Sequence, residues 1–352
     1  LYKVTLADFQ GSDLAPLASA NPMRLQVWKD GQQLPTQFLG DNDAVFEPGE
    51  QLLFYADVEP DIYSDTDVVW MTVGDDQGMR MTSADAAPAG AVIDTFLPAK
   101  VHLEEDFTRQ QEVPETGTPA YPRWYWVDLD SLFHPSRTLT FDLSNPITSG
   151  YNAQLRIRLV SSTESATANP DHLVRVELNG QAVGNVVWDG KEVVVRQLEF
   201  SASILRNGLN TFTLVTPGGL PGVDVEQAYL DWIEIAYRQV PKAVNDQSAF
   251  QIDGSGWREF LVTDFVDQNI VAYDVSNSAA PIHLLNVQIS SGYAEEEPTA
   301  VESTLPTDQP RRAFFPLVVH FTSSGAVRYQ ARFGQTVTGQ RSFLVTTLAA
   351  VD

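Results

Sequence analysis

An all-β, multidomain fold is what this sequence predicts, on three observations. Val174, Val176 and Leu178 alternate with Arg175 and Glu177, and period-two alternation marks a half-buried strand. Asn179-Gly180 follows at once; this is the strongest short hairpin signal, because a type I′ turn needs positive φ at both central residues. Helical signal is nearly absent, its best case being Ser201 to Gly208, SASILRNG, a turn or two at most. From His172 to Tyr237 the chain reads as a strand, an Asn-Gly turn, a second strand, a Gly-x-Asn turn and two more strands. That order suggests a jelly-roll β-sandwich, of the galactose-binding or carbohydrate-binding-module type, that displays or binds rather than catalyses.

The rest of the chain divides around this unit. Residues 1–97 read as short strands (LYKVTLADF, MRLQVWKDG, EQLLFYAD, DVVWMTVG) punctuated by Pro, Gly, Asp and Asn. A Pro/Ala/Gly-rich link, Ala86 to Pro98, leads into the jelly-roll unit, 98–240, with LTFDL, LRIRLVS, VRVEL, VVVRQLEF, TFTLV and YLDWIEIAY. PKAVNDQ opens a third unit, 241–352, with AFQI, EFLVTDF, IVAYDV, IHLLNVQI, LVVHF, VRYQARF and SFLVTTL. A polar, Pro-rich loop from Tyr293 to Arg312 interrupts it. The first and last units either stand alone or pair into one β domain with the jelly roll inserted between them. Strands before residue 97 packed on strands after 241 would mark the insertion.

Composition removes several classes of function. With 22 Lys and Arg against 46 Asp and Glu, the formal net charge is -24, which argues against nucleic acid and anionic membrane surfaces, since phosphate binding needs clustered basic residues. The 352 residues contain no cysteine, so disulfides, thiolate metal sites and thiol nucleophiles are impossible within them. No apolar run approaches the roughly 18–20 residues of a membrane helix. The absence of a starting Met or signal peptide is read as that of an excised segment or mature form.

Catalytic signatures fail. There is no G-x-S-x-G elbow, P-loop, G-x-G-x-x-G or H-E-x-x-H. His102, His134, His172, His283 and His320 are far apart in sequence and read as ordinary strand or loop residues. Two segments are more specific. In GDNDAVFEPGEQLLFY, the carboxylates Asp41, Asp43, Glu47 and Glu50 crowd one short loop. Hard oxygen ligands at that density suit Ca²⁺, although the EF-hand spacing is not met; a plain polar turn explains the same residues. In YPRWYW, Tyr121 to Trp126, a strand would put Trp124 and Trp126 on one face. With Tyr121 they form a candidate platform for sugar rings, the alternative being sandwich core. Arg311-Arg312, in the Pro-flanked DQPRRAFFP, offers a cutting site for Arg-specific proteases, or a solvated pair.

YKVTLADFQGSDL, MRLQVWKDGQQLPTQF, DAVFEPGEQLLFYAD and YSDTDVVWMTVGDDQGMRM resemble the region that precedes the catalytic domain in gingipain-like cysteine peptidases of bacteria. HLEEDF, RWYWVDL, VRVELNGQAVG, LRNGLNTFTL and YLDWIEIAY resemble the jelly-roll part of that region, and IVAYDVSNSAAPIHL its later strand pair. These are turn and core patterns whose order carries the resemblance. It implies an exported or cell-surface location, a prodomain-like or accessory role, and a partner in a peptidase domain downstream. In that family the nucleophile is a cysteine paired with a histidine; no catalytic residue carries over to this chain. Two other functions compete: a carbohydrate-binding module using Tyr121, Trp124 and Trp126 with glycans as partners, and a structural or adhesive surface protein acting through edge strands.

Overall fold

The structure, a computed structural model, describes residues 1–10, 12–41, 43–57, 68–109, 124–293 and 327–351. Tyr121, His320, Arg311-Arg312, the segment LVVHF and the Tyr293–Arg312 loop beyond its first residue lie outside the described residues. The protein is predominantly β-strand, arranged in several sheets. It divides into two compact units. One comprises Leu1–Ile93, Lys242–Ala249 and Ser255–Asp352; the other comprises Asp94–Pro241 and Phe250–Gly254.

The first unit begins with strands β1 (Tyr2–Thr5), β2 (Leu25–Lys29), β3 (Gln32–Leu34), β4 (Thr36–Leu39), β5 (Gln51–Phe54), β6 (Trp70–Val73) and β7 (Thr82–Asp85). They form a β1-β5-β4 sheet and a β3-β2-β6 sheet, while β7 joins a third sheet. LYKVTLADF, expected as one strand, breaks after Thr5 into a helical turn, Leu6–Phe9. The Asp8 carboxylate accepts both the Thr5 amide and hydroxyl at 2.7 Å, a local capping interaction that competes with strand extension. Asp30 and Gly31 supply the positive φ angles, 49° and 76°, of the β2–β3 hairpin. Phe9, Leu25, Val27 and Leu52 are fully buried here.

The second unit holds β8 (Leu97–Glu104), β9 (Thr108–Arg109), β10 (Trp124–Tyr125), β11 (Val127–Asp130), β12 (Ser136–Leu143), β13 (Asn152–Ser161), β14 (His172–Leu178), β15 (Gln181–Trp188), β16 (Val193–Ser201), β17 (Gly208–Val215) and β18 (Gln227–Gln239). One sheet has the order β11-β18-β13-β16, with β8 sharing the β18 edge beyond β11. The other has the order β12-β17-β14-β15. The two enclose one apolar core. Leu155, Ile157 and Leu159 from β13 meet Val174 and Val176 from β14, Val186 from β15 and Phe212 and Leu214 from β17. Each such side chain contributes about 1.5–3 kcal/mol on leaving water. Alternate residues of β13, Gln154 and Arg156 among them, face solvent. Asn179 and Gly180 adopt φ of 52° and 76°, the turn expected of them. The Asn179 amide also donates to the Ile204 carbonyl at 2.6 Å and to Asn210 Oδ1 at 2.8 Å, so this residue serves the core edge as well as the turn.

Strands β19 (Gln247–Phe265), β20 (Ile270–Asp274), β21 (Ile282–Leu285), β22 (Gln288–Tyr293) and β23 (Val327–Thr347) follow. The third sheet of the first unit runs β19-β23-β20-β21-β7, and β22 also pairs with β23. AFQI and EFLVTDF prove to be one strand, as do VRYQARF and SFLVTTL, while IHLLNVQI is two strands broken at Asn286 (φ 60°). The parallel pairing of β7 with β21 sets Thr82 opposite Ile282, 200 positions later. Glu259, fully buried on β19, locks the adjoining segment. It accepts the Ala89 and Ala91 amides at 2.7 and 2.9 Å, and Arg332 from β23 at 2.6 and 3.1 Å. Gly334 makes room for the neighbouring Trp257, since a Cβ there would stand 2.3 Å from the indole ring.

Candidate functional site

The acidic loop between β4 and β5 is held at both ends by the chain's own chemistry. Phe46 is buried against Phe9 and Phe38, at ring separations of 5.5 and 5.7 Å, which pins the middle of the loop to the core. Glu50 folds back beneath it, accepting the Asp41 amide at 3.0 Å and the Glu47 amide at 2.9 Å. Gly40 is required for that approach, because a Cβ there would lie 2.1 Å from Glu50 Oε1. Glu50 therefore stands apart from the metal-ligand set expected of it: it is buried and both its oxygens are engaged with backbone. Asp41, Asp43 and Glu47 remain exposed and bring carboxylate oxygens within 4.8 Å of one another. This surface triad could coordinate a divalent cation such as calcium, which takes oxygen ligands of this kind.

The aromatic segment does not keep the single face that strand alternation predicts. Trp124 and Tyr125 form β10, paired with β9, and the chain bends at Trp126 before β11 begins. Trp124 is 44% exposed and lies under Arg109, whose guanidinium carbon is 5.8 Å from its ring. Tyr125 is buried beside Tyr229. Trp126 belongs to the core of the second unit at 7% exposure, its amide bonded to the Leu230 carbonyl. A platform pairing Trp124 with Trp126 is thus not formed; of the two tryptophans, Trp124 presents a face to solvent.

One polar cluster carries no motif that sequence reasoning picks out. His172 opens β14 pointing inward, opposite Trp188 on β15, and the two rings stack 4.8 Å apart at 12°. Its Nδ1 lies 2.6 Å from Asp171 Oδ1, while Nε2 lies 3.1 Å from the Thr163 hydroxyl. Asp171 also accepts the Gly190 amide at 2.8 Å and the Ser165 amide at 2.7 Å. Burial works against the charged form of Asp171, but these amides and His172 outweigh it and hold its carboxyl below the usual range. Burial depresses His172 against the pull of Asp171, which favours neutral imidazole. Nδ1–H then donates to Asp171, and Nε2 accepts from Thr163. The Thr163 oxygen accepts the Gln227 amide at 3.0 Å. Nearby Glu226 is raised by burial, with one oxygen accepting the Leu173 amide. The line Asp171–His172–Thr163 thus orients a hydroxyl, with its imidazole sealed from solvent. The signal in the sequence is the adjacent Asp-His at a strand start, with a Trp closing the partner strand.

No protein-family profile and no curated protein matches the chain. Among solved structures, the fold is similar to that of dimeric latent PorU from Porphyromonas gingivalis, with a TM-score of 0.60 and 11% sequence identity. The alignment covers 100% of this chain and 31% of that one, so this chain spans less than a third of PorU. At that identity the likeness is one of fold alone. The CBM36-1 domain of a multidomain xylanase from the hindgut metagenome of Trinervitermes trinervoides aligns with 39% of the chain, at a TM-score of 0.24 and 16% identity, too low to carry an argument. The chain itself has no cysteine and so no cysteine nucleophile.

Proposed function

We propose that this chain is the non-catalytic, prodomain-like accessory region of an exported bacterial peptidase of the gingipain-like kind, acting on a catalytic domain downstream in the same polypeptide. The observation that carries this reading is the alignment of the whole chain with part of a much longer protein whose solved form is described as latent. The ordered motifs of the sequence and the absence of cysteine agree with it. In this reading the second unit is a jelly roll inserted into a β domain built from both ends of the chain. Its strand orders, β11-β18-β13-β16 and β12-β17-β14-β15, support that description, and the division of the chain into two units supports the insertion. Such a region works at or outside the cell surface. A calcium ion on Asp41, Asp43 and Glu47 would stiffen its loop there.

The reading is tested by determining the parent coding sequence beyond Asp352. An α/β domain with a histidine and a cysteine in catalytic context is expected. A stop codon, or only further β domains, would sink the peptidase reading and leave binding or surface scaffolding in its place.

A further inference from the structure

We propose that a pocket at one end of the second unit binds a short neutral oligosaccharide. The pocket is an open cleft of about 660 Å³, a volume in the range of small-ligand sites. It lies between the loop after β13 and the loop before β18, and its chemistry is set by Thr163, Glu164, Ser165, Thr167, Lys191 and Asp224. None of the described residues lining it is aromatic, so they offer a ring-stacked ligand no platform. Two carboxylates against one ammonium disfavour an anion. The combination suits vicinal hydroxyls, which donate in pairs to a carboxylate, donate to a hydroxyl oxygen and accept from an ammonium.

The hydroxyls are preset rather than free to rotate. Thr163 is aimed by the buried Asp171–His172 pair on one side and the Gln227 amide on the other. Ser165 donates to the Gly222 carbonyl at 2.7 Å and accepts the Thr167 amide at 3.3 Å. Gly222 lets the two loops close on each other: its φ is +79°, and a Cβ there would stand 3.1 Å from Thr167 Oγ1. A polar wall fixed by a buried second layer costs little to organise when a ligand binds. This site is separate from Trp124 and does not depend on the accessory-region reading; a chain that assists no downstream domain can still bind here.

The test is calorimetric titration of the whole chain with cellohexaose, xylohexaose, maltohexaose and mannohexaose, with hexalysine and hexagalacturonate as charged controls. At least one neutral hexasaccharide should bind. Asp224→Ala, Lys191→Ala and the pocket-filling Thr167→Trp should each weaken it at least tenfold, with the circular dichroism spectrum and the melting transition retained, while Trp124→Ala leaves it unchanged. Silence toward all four sugars would overturn the proposal. So would binding confined to a charged control, or binding lost in Trp124→Ala and kept in the pocket variants.

Discussion

Glu259 in the first unit and Asp231 in the second make a near-controlled pair. Both are buried, at 0% and 1% exposure, and both face an arginine, Arg332 and Arg158, with closest approaches of 2.6 Å. Their carboxyls nevertheless move in opposite directions. Burial pushes each upward. At Glu259 the Ala91 amide, Arg332, Trp257 and the Ala89 amide outweigh it and bring the group down to about 2. At Asp231 burial wins over Arg158, Glu104 and Asp106 add like charge, and the group rises to about 6. Burial with an arginine does not by itself decide the charge state of a carboxylate; the donors aimed at it and the like charges beside it do.

The largest effect is expected at Glu259. Glu259→Ala strands the Arg332 guanidinium and two backbone amides, so it should destabilise the chain more than either Asp231→Asn or Glu50→Ala. Amide exchange at Ala89 and Ala91 should rise on the order of tenfold or more. Exchange mass spectrometry reads this directly, and unchanged protection would break the comparison. The pH dependences should then run in opposite senses. Glu259, below its ordinary 4.5, stabilises the fold above that value, and its contribution is lost as pH falls toward about 2. Asp231, above its ordinary 3.8, contributes most below that value, and the contribution disappears as pH rises through about 6. Between pH 7 and 5 the second unit should therefore gain stability from Asp231, and Asp231→Asn should abolish that gain in denaturant titrations at the two pH values. The smallest effect is expected in the acidic loop. Glu50→Ala removes two amide contacts, at a cost of about 1–3 kcal/mol, and should loosen Asp41 and Glu47. Calcium should then restore less thermal stability to the variant than to the parent chain.

The elements easiest to read in the sequence are the local ones. Asn179-Gly180 declares its own turn, and β13, β14 and β18 carry their alternation or apolar runs in the open. The β7–β21 pairing has no local signature, because its two strands are short and widely separated in sequence. Gly254 and Gly256 look like a break between AFQI and EFLVTDF, yet glycine's tolerance of positive φ lets β19 run through them. At the candidate sites, charge density alone points to Asp41, Asp43 and Glu47. Glu50 departs from them because its carboxylate turns inward to satisfy backbone amides, which spacing cannot show. Trp126 departs from the shared face with Trp124 because the chain bends where alternation assumes an unbroken strand. The Asp171–His172–Thr163 line is hidden in the sequence because Thr163 and Asp171 stand at opposite ends of the β13–β14 loop, and only its fold brings both to one imidazole.

The most direct test of the accessory-region account is to express the parent polypeptide with and without residues 1–352, and to compare the yield of soluble downstream domain and its peptidase activity. The account predicts that removal lowers the yield of folded domain, that supplying the chain separately restores part of it, and that the chain alone cleaves no peptide. A downstream domain that folds to the same yield and activity without these residues would contradict it.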